Sequence, residues 1–96
     1  MDTFENLTRY KIFLSVAEHK SISKAAASLY ISQPAVSVTI KKLEENLNTT
    51  LFIRRSKGVE LTEKGRLLYD SVKKALHMLT DTEKSLRFPF YTGYLR

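Results

Sequence analysis

The chain has 96 residues with a net charge of +6 and no cysteine, and its isoelectric point is near 9.7. That length makes one small domain, or one domain with an extension, and a chain this short gains stability by associating with a copy of itself. The missing thiols exclude a disulfide framework and a thiolate metal site, and no apolar run reaches membrane-spanning length.

The charge is unevenly spread. Nine cations lie between Lys20 and Arg66 against four carboxylates, so the middle of the chain carries most of the excess. This is the footprint expected of a nucleic-acid partner, though a membrane surface or an acidic protein would also accept it. The start, Met1-Asp2-Thr3-Phe4-Glu5, lacks the basic and apolar runs of a secretory leader. The expected compartment is the cytoplasm.

Residues 4–19 read as the first helix, with Leu7, Tyr10, Phe13, Leu14 and Ala17 on one face and Thr3 as the N-cap. Ser21 or Ser23 can cap the second helix, which ends near Leu29 or Tyr30. Its Ala25-Ala26-Ala27 run favours helix and allows another helix to cross closely.

Ser32 is read as the cap of the third helix, with Pro34 in the first turn, where a missing N–H costs nothing. Val36, Ile40, Leu43 and Leu47 form its apolar stripe. At about 100° per residue the opposite face carries Pro34, Ala35, Val38, Lys41, Lys42 and Glu45, with Ser37 on the flank. An outward Val38 beside two lysines suits the methyl group of a thymine better than bulk water. Two short helices joined this tightly, the second shaped for a groove, make a helix-turn-helix over about residues 22–41.

The period changes after Asn48-Thr49-Thr50. Leu51-Phe52-Ile53 and Val59-Glu60-Leu61 read as strands around a basic turn, giving a hairpin wing over about residues 51–61. Arg54, Arg55 and Lys57 would then reach phosphates or a minor groove.

Thr62 caps a final helix over residues 63–86. Gly65, Leu68, Val72, Ala75, Leu79, Thr82 and Leu86 alternate in steps of three and four, as in a heptad seam. Twenty-four residues span about 36 Å, too long for this small domain to cover. A second copy is the expected cover, with packing on the chain's own first helix as the competing reading. The tail, residues 87–96, breaks the helix and is rich in aromatics.

Phe13, Val16-Ala17-Glu18, Ser21, Ala25-Ala26, Leu29, Ser32-Gln33-Pro34-Ala35-Val36-Ser37, Ile40, Leu43-Glu44, Leu51-Phe52, Arg54, Leu61-Thr62 and Gly65 together resemble the N-terminal domain of LysR-type transcriptional regulators. The resemblance runs in register over residues 4–86. It implies a mainly α winged helix-turn-helix (residues 4–62), with three helices and a two-stranded wing, followed by a long dimerisation helix (residues 63–86). It also implies promoter DNA as the partner in bacteria. In that family a separate C-terminal domain senses a small molecule and drives tetramers, so the tail would lead toward a domain this chain lacks, and the effector would not bind here.

The chain departs from the family pattern at four places. Many members have Arg, Lys or Gln in place of Val38, Gln in place of Thr39, Gly in place of Asn48, and Ala in place of Lys64. The expected DNA-contacting set is Ser23, Lys24, Ser32, Gln33, Pro34, Ala35, Ser37, Val38, Thr39, Lys41, Lys42, Arg54, Arg55 and Lys57. The expected dimer set is Leu68, Val72, Ala75, Leu79 and Leu86.

No catalytic residue, cofactor or metal is expected. His19 and His77 stand far apart, and no Gly-rich phosphate loop occurs. The alternative to DNA binding is a winged helix used only for protein contact, against which the basic outward face of the third helix argues.

Overall fold

The computed structural model describes residues 3–88. Four helices and one hairpin follow in the order α1 (Thr3–His19), α2 (Ile22–Leu29), α3 (Gln33–Leu47), β1 (Phe52–Arg55), β2 (Gly58–Leu61) and α4 (Glu63–Arg87). This is the expected winged helix-turn-helix with a long final helix. The tail from residue 89 onward lies outside the described residues.

Local chemistry sets the helix ends. Ser21, rather than Ser23, caps α2 by accepting the Lys24 N–H at 3.1 Å. Ser32 caps α3 by accepting from Ala35 at 3.2 Å, and Thr62 caps α4 by accepting from Gly65 at 2.9 Å. Each cap satisfies an amide that the helix itself leaves without a partner. Thr3 falls inside α1 as its first residue instead of preceding it.

Three non-glycine residues take the left-handed conformation: Lys20, Tyr30 and Asn48. Asn48 closes α3 there, doing at φ 51° what glycine usually does. Tyr30 closes α2 at φ 58° with its ring almost wholly in solvent. The left-handed region costs an L-residue about 1–2 kcal/mol, and glycine's extra chain entropy returns about 0.5–1 of it. Tyr30→Gly is therefore expected to raise stability by about 0.5–1 kcal/mol, or several degrees in melting temperature. A thermal melt checks this, and a lower melting temperature would contradict it.

The core joins Phe13 and Val16 of α1, Ala25 and Ala26 of α2, Val36, Ile40 and Leu43 of α3, then Leu51, Val59 and Val72. Each large member contributes about 1.5–3 kcal/mol by leaving water. The Phe13 and Phe52 rings meet at 5.3 Å, so α1 and the wing share one apolar centre. Ala25 and Ala26 are the small residues that let α2 lie against α1 and α3, as expected. Two stripe assignments fail. Leu7 is half exposed while Val16 and Asn6 are buried, so the buried face of α1 is rotated from the expected one. Leu47 is 39% exposed, since the buried face of α3 ends at Leu43.

The final helix divides its stripe. Gly65 and Val72 are buried, and Leu68, Tyr69 and Leu76 pack against the core. Beyond them Leu79 and Leu86 are 62% and 71% exposed. Packing on the chain's own body thus accounts for the first half of the stripe, and the apolar members of the second half stand exposed. Ser85, in the last turn of α4, is buried, so what stands open in this half is the face that carries Leu79 and Leu86.

Glu18 fastens α1 to α4 by accepting from the Tyr69 hydroxyl at 3.3 Å and from Lys73 at 3.4 Å. The bond to Glu18, aided by Tyr69, holds the Lys73 ammonium above its ordinary value of 10.5. A raised lysine contributes fully below that ordinary value and loses its contribution as pH climbs through the raised one. The pair is solvent-exposed and its effect on stability is small.

Candidate nucleic-acid interface

Helix α3 is held from one side and open on the other. Val36, Ile40 and Leu43 are buried. Gln33, Pro34, Ala35, Val38, Lys41, Lys42 and Glu45 are exposed, and Ser37 and Thr39 lie between the two faces. The division follows from the 3.6-residue period alone. Thr39 Oγ1 donates back to the Ala35 carbonyl at 2.8 Å, which turns its hydroxyl inward along the helix. Val38 is 52% exposed and makes the expected apolar spot on a polar surface.

At the start of α3 the cap, Ser32, is exposed; Pro34 has no N–H and Ala35 gives its own to Ser32, so the helix dipole is what favours an anion there. At α2 the arrangement repeats. Ser23 and Lys24 are exposed, and Ser23 Oγ lies 3.2 Å from Ser21 Oγ.

In the wing, strand β1 pairs antiparallel with β2, from Phe52 opposite Leu61 to Arg55 opposite Gly58. Arg54 and Arg55 therefore belong to the strand rather than to the turn, which is only Ser56-Lys57. Successive strand side chains point to opposite faces, and this separates the two arginines. Arg54 lines a groove of about 400 Å³ with Ser37, Val38, Ile40, Lys41 and Glu44. Arg55 pairs with Glu60 at 3.0 Å on the solvent side. That acid lies five residues along the chain on the other strand, opposite Ile53 and so diagonal to Arg55. An exposed pair of this kind is weak, so Arg55 keeps most of its freedom to meet another anion.

The wing is fixed at its tip as well as its base. Val59 N–H donates to the Lys20 carbonyl at 3.1 Å. Gly58, at φ +134°, passes so close that a Cβ would lie 2.3 Å from that oxygen. Lys20 takes its left-handed conformation at this joint. Neither contact was legible in the sequence, since the turn after α1 and the hairpin lie nearly forty residues apart.

Of the expected DNA-contacting set, the structure thus gathers Ser37, Val38, Lys41 and Arg54 around one groove. Gln33, Pro34 and Ala35 stand at the exposed start of α3. Lys42 is exposed on α3, and Lys57 on the turn. Of the expected dimer set, Leu68 and Val72 face the chain's own core, while Ala75, Leu79 and Leu86 are exposed. Among the described residues no group of three or more His, Asp or Glu side chains could hold a metal ion, and no helix is long and apolar enough to cross a membrane.

Comparison with known proteins agrees with this geometry. The family model for bacterial regulatory helix-turn-helix proteins of the lysR family matches residues 7–66. The transcriptional regulator XapR of Escherichia coli is 47% identical over 70 residues, covering 73% of this chain and 23% of that protein. A probable RuBisCO transcriptional regulator of Cyanidioschyzon merolae is 40% identical over 80 residues, 83% of this chain and 26% of the other. The chain thus spans about a quarter of the length of these relatives. Among solved structures, the BenM DNA-binding domain in complex with benA site 1 DNA superposes with a TM-score of 0.77 at 33% identity, covering 84% of this chain and 94% of that one. The CbnR DNA-binding domain in complex with DNA gives 0.73 at 29%, covering 83% and 92%. By its matched residues and its architecture, this chain belongs to the LysR family of helix-turn-helix regulators.

Proposed function

We propose that this chain is the DNA-binding portion of a LysR-type transcriptional regulator, and that it reads promoter DNA in the major groove with α3. The observation that carries this reading is the division of α3. One face is locked into the core, and the other presents Gln33, Pro34, Ser37 and Val38 beside the exposed Lys41 and Lys42. The two relatives solved as DNA complexes share this architecture.

In this reading Gln33, Pro34, Ala35, Ser37 and Val38 face base edges, and Thr39 stands on the flank. Ser32, Lys41 and Lys42 meet phosphates, and Ser23 with Lys24 grips the backbone beside them. Arg54, Arg55 and Lys57 bring the wing to a neighbouring groove. Two copies join through the exposed half of α4 and read two half-sites related by a dyad. Tetramers and effector sensing belong to the whole protein, whose place of work is the cytoplasm. The chain carries no chemistry of its own.

Titration of a random-sequence duplex at rising salt tests the reading. Binding should weaken steeply as salt rises, because neutralised phosphates release counterions. Failure to bind duplex DNA at low salt would leave only the protein-contact alternative. Lys42→Ala should weaken binding to all sequences alike and reduce the salt slope by about one. An unchanged slope would remove Lys42 from the phosphate-contacting set.

A further inference from the structure

One acid sits where the proposed DNA surface should repel it. Glu44 lines the groove that Ser37, Val38, Lys41 and Arg54 also line. A carboxylate there faces the same phosphates that the lysines and the arginine attract, so by charge alone it opposes binding.

Its hydrogen bonds explain its place. Glu44 Oε2 accepts the Leu51 N–H at 2.7 Å and the Phe52 N–H at 3.3 Å. These two amides open the wing, since Leu51 precedes β1 and Phe52 begins it. Hydrogen bonds to an ionised acceptor are among the stronger ones. The same short segment is gripped from the other side by α4. Thr62 N–H donates to the Leu51 carbonyl at 2.9 Å, and Thr62 Oγ1 donates to the Thr50 carbonyl at 2.7 Å. Gly65 lies so close that a Cβ would come 2.2 Å from the Leu51 oxygen. The start of the wing is thus clamped between α4 and a single side chain of α3.

Arg54 lies two residues beyond Phe52, on the same face of β1. Any shift at the start of the strand therefore moves the Arg54 guanidinium relative to α3. We infer that Glu44 is a positioning residue: its carboxylate sets the wing against the reading helix and so places Arg54 for a phosphate beside the α3 contacts. The inference rests on the DNA-binding reading above. It adds a residue that touches no DNA and whose charge opposes binding.

The test is a double-mutant cycle read by duplex affinity. Glu44→Gln keeps a carbonyl oxygen that can accept both amides. Glu44→Met keeps the length and removes the acceptor. The Gln variant should bind within about threefold of wild type, and the Met variant about tenfold more weakly, the scale of one lost charge-assisted contact. In an Arg54→Ala background the Met change should cost less than about twofold, because the contact it misplaces is already gone. If Met does not fold by circular dichroism, Glu44→Asp replaces it, with the charge kept but drawn back by one methylene. It should lose affinity with Arg54 present and lose none without it.

Equal losses in both backgrounds, or no loss in either, would overturn the positioning role, as would a Gln variant as weak as Met. Absence of DNA binding by the wild-type chain would overturn the reading beneath it instead.

Discussion

Replacing Leu79 and Leu86 together with glutamate is expected to leave each chain folded and to abolish the proposed dimer. Both side chains stand in solvent beyond the part of α4 that packs on the core. Their removal therefore costs the isolated chain little. Charges facing a partner helix oppose its approach, since like charges repel and must give up water. The consequence for DNA is large. Two joined readers gain an effective concentration for the second half-site, and avidity of this kind reaches about 10²–10⁴. Affinity for a two-half-site duplex should fall by a factor in that range, while affinity for a single half-site should hold. Sedimentation and a binding isotherm on both duplexes check this. An intact dimer would contradict the assignment of this half of α4.

Val72→Asp is expected to act in the opposite manner, by destabilising the fold of each chain. Val72 lies on the same heptad stripe, yet it is only 8% exposed and belongs to the core cluster with Phe13 and Val59. An uncompensated buried charge costs about 3–5 kcal/mol. A small domain holds roughly 5–15 kcal/mol in total, so a large part of the reserve is lost. The melting temperature should drop by about 15–30 °C. A well-folded monomer would show instead that Val72 serves only the contact between copies. Val72 and Leu79 lie seven residues apart, two helical turns, and the boundary between the covered and the exposed part of the stripe falls between them.

That boundary marks what the sequence could not resolve. Periodicity showed that α4 has an apolar stripe but not what covers it, because a partner helix and the chain's own α1 demand the same spacing. Features set by residues three or four apart were legible. Ser32 and Thr62 cap where they were expected to, Asn48 closes α3 in the left-handed conformation, and Val38 faces outward. Features that depend on the tertiary path were not. Arg55 finds Glu60 across the hairpin, Glu18 finds Tyr69 and Lys73 on another helix, and Glu44 finds the amides that open the wing. No periodicity signals such partners. The exposure of Leu7 and Leu47 has a similar origin. Apolar spacing marks a face, and only the positions of α2 and α4 decide how far along that face the core extends.

The candidate site divides in the same way. The outward face of α3 followed from its period. The separation of Arg54 from Arg55 needed the strand register, since a shift of one residue would exchange their faces. Val38 has a different standing. Its place on the helix was legible, and its exposure beside Lys41 and Lys42 leaves it free to meet a base edge. The family resemblance identifies it as an unusual occupant, which makes it the position where this chain should differ most in the DNA it prefers.

The central claim is that α3 reads sequence, and the measurement that tests it most directly is selection of bound duplexes from a random pool, run in parallel on the wild-type chain and on Val38→Ala. Wild type should enrich two half-sites related by a dyad. Val38→Ala should keep that spacing and relax the preference at one base pair in each half, by about 1–3 kcal/mol. Identical preferences for the two proteins, or no enriched sequence for either, would contradict the account.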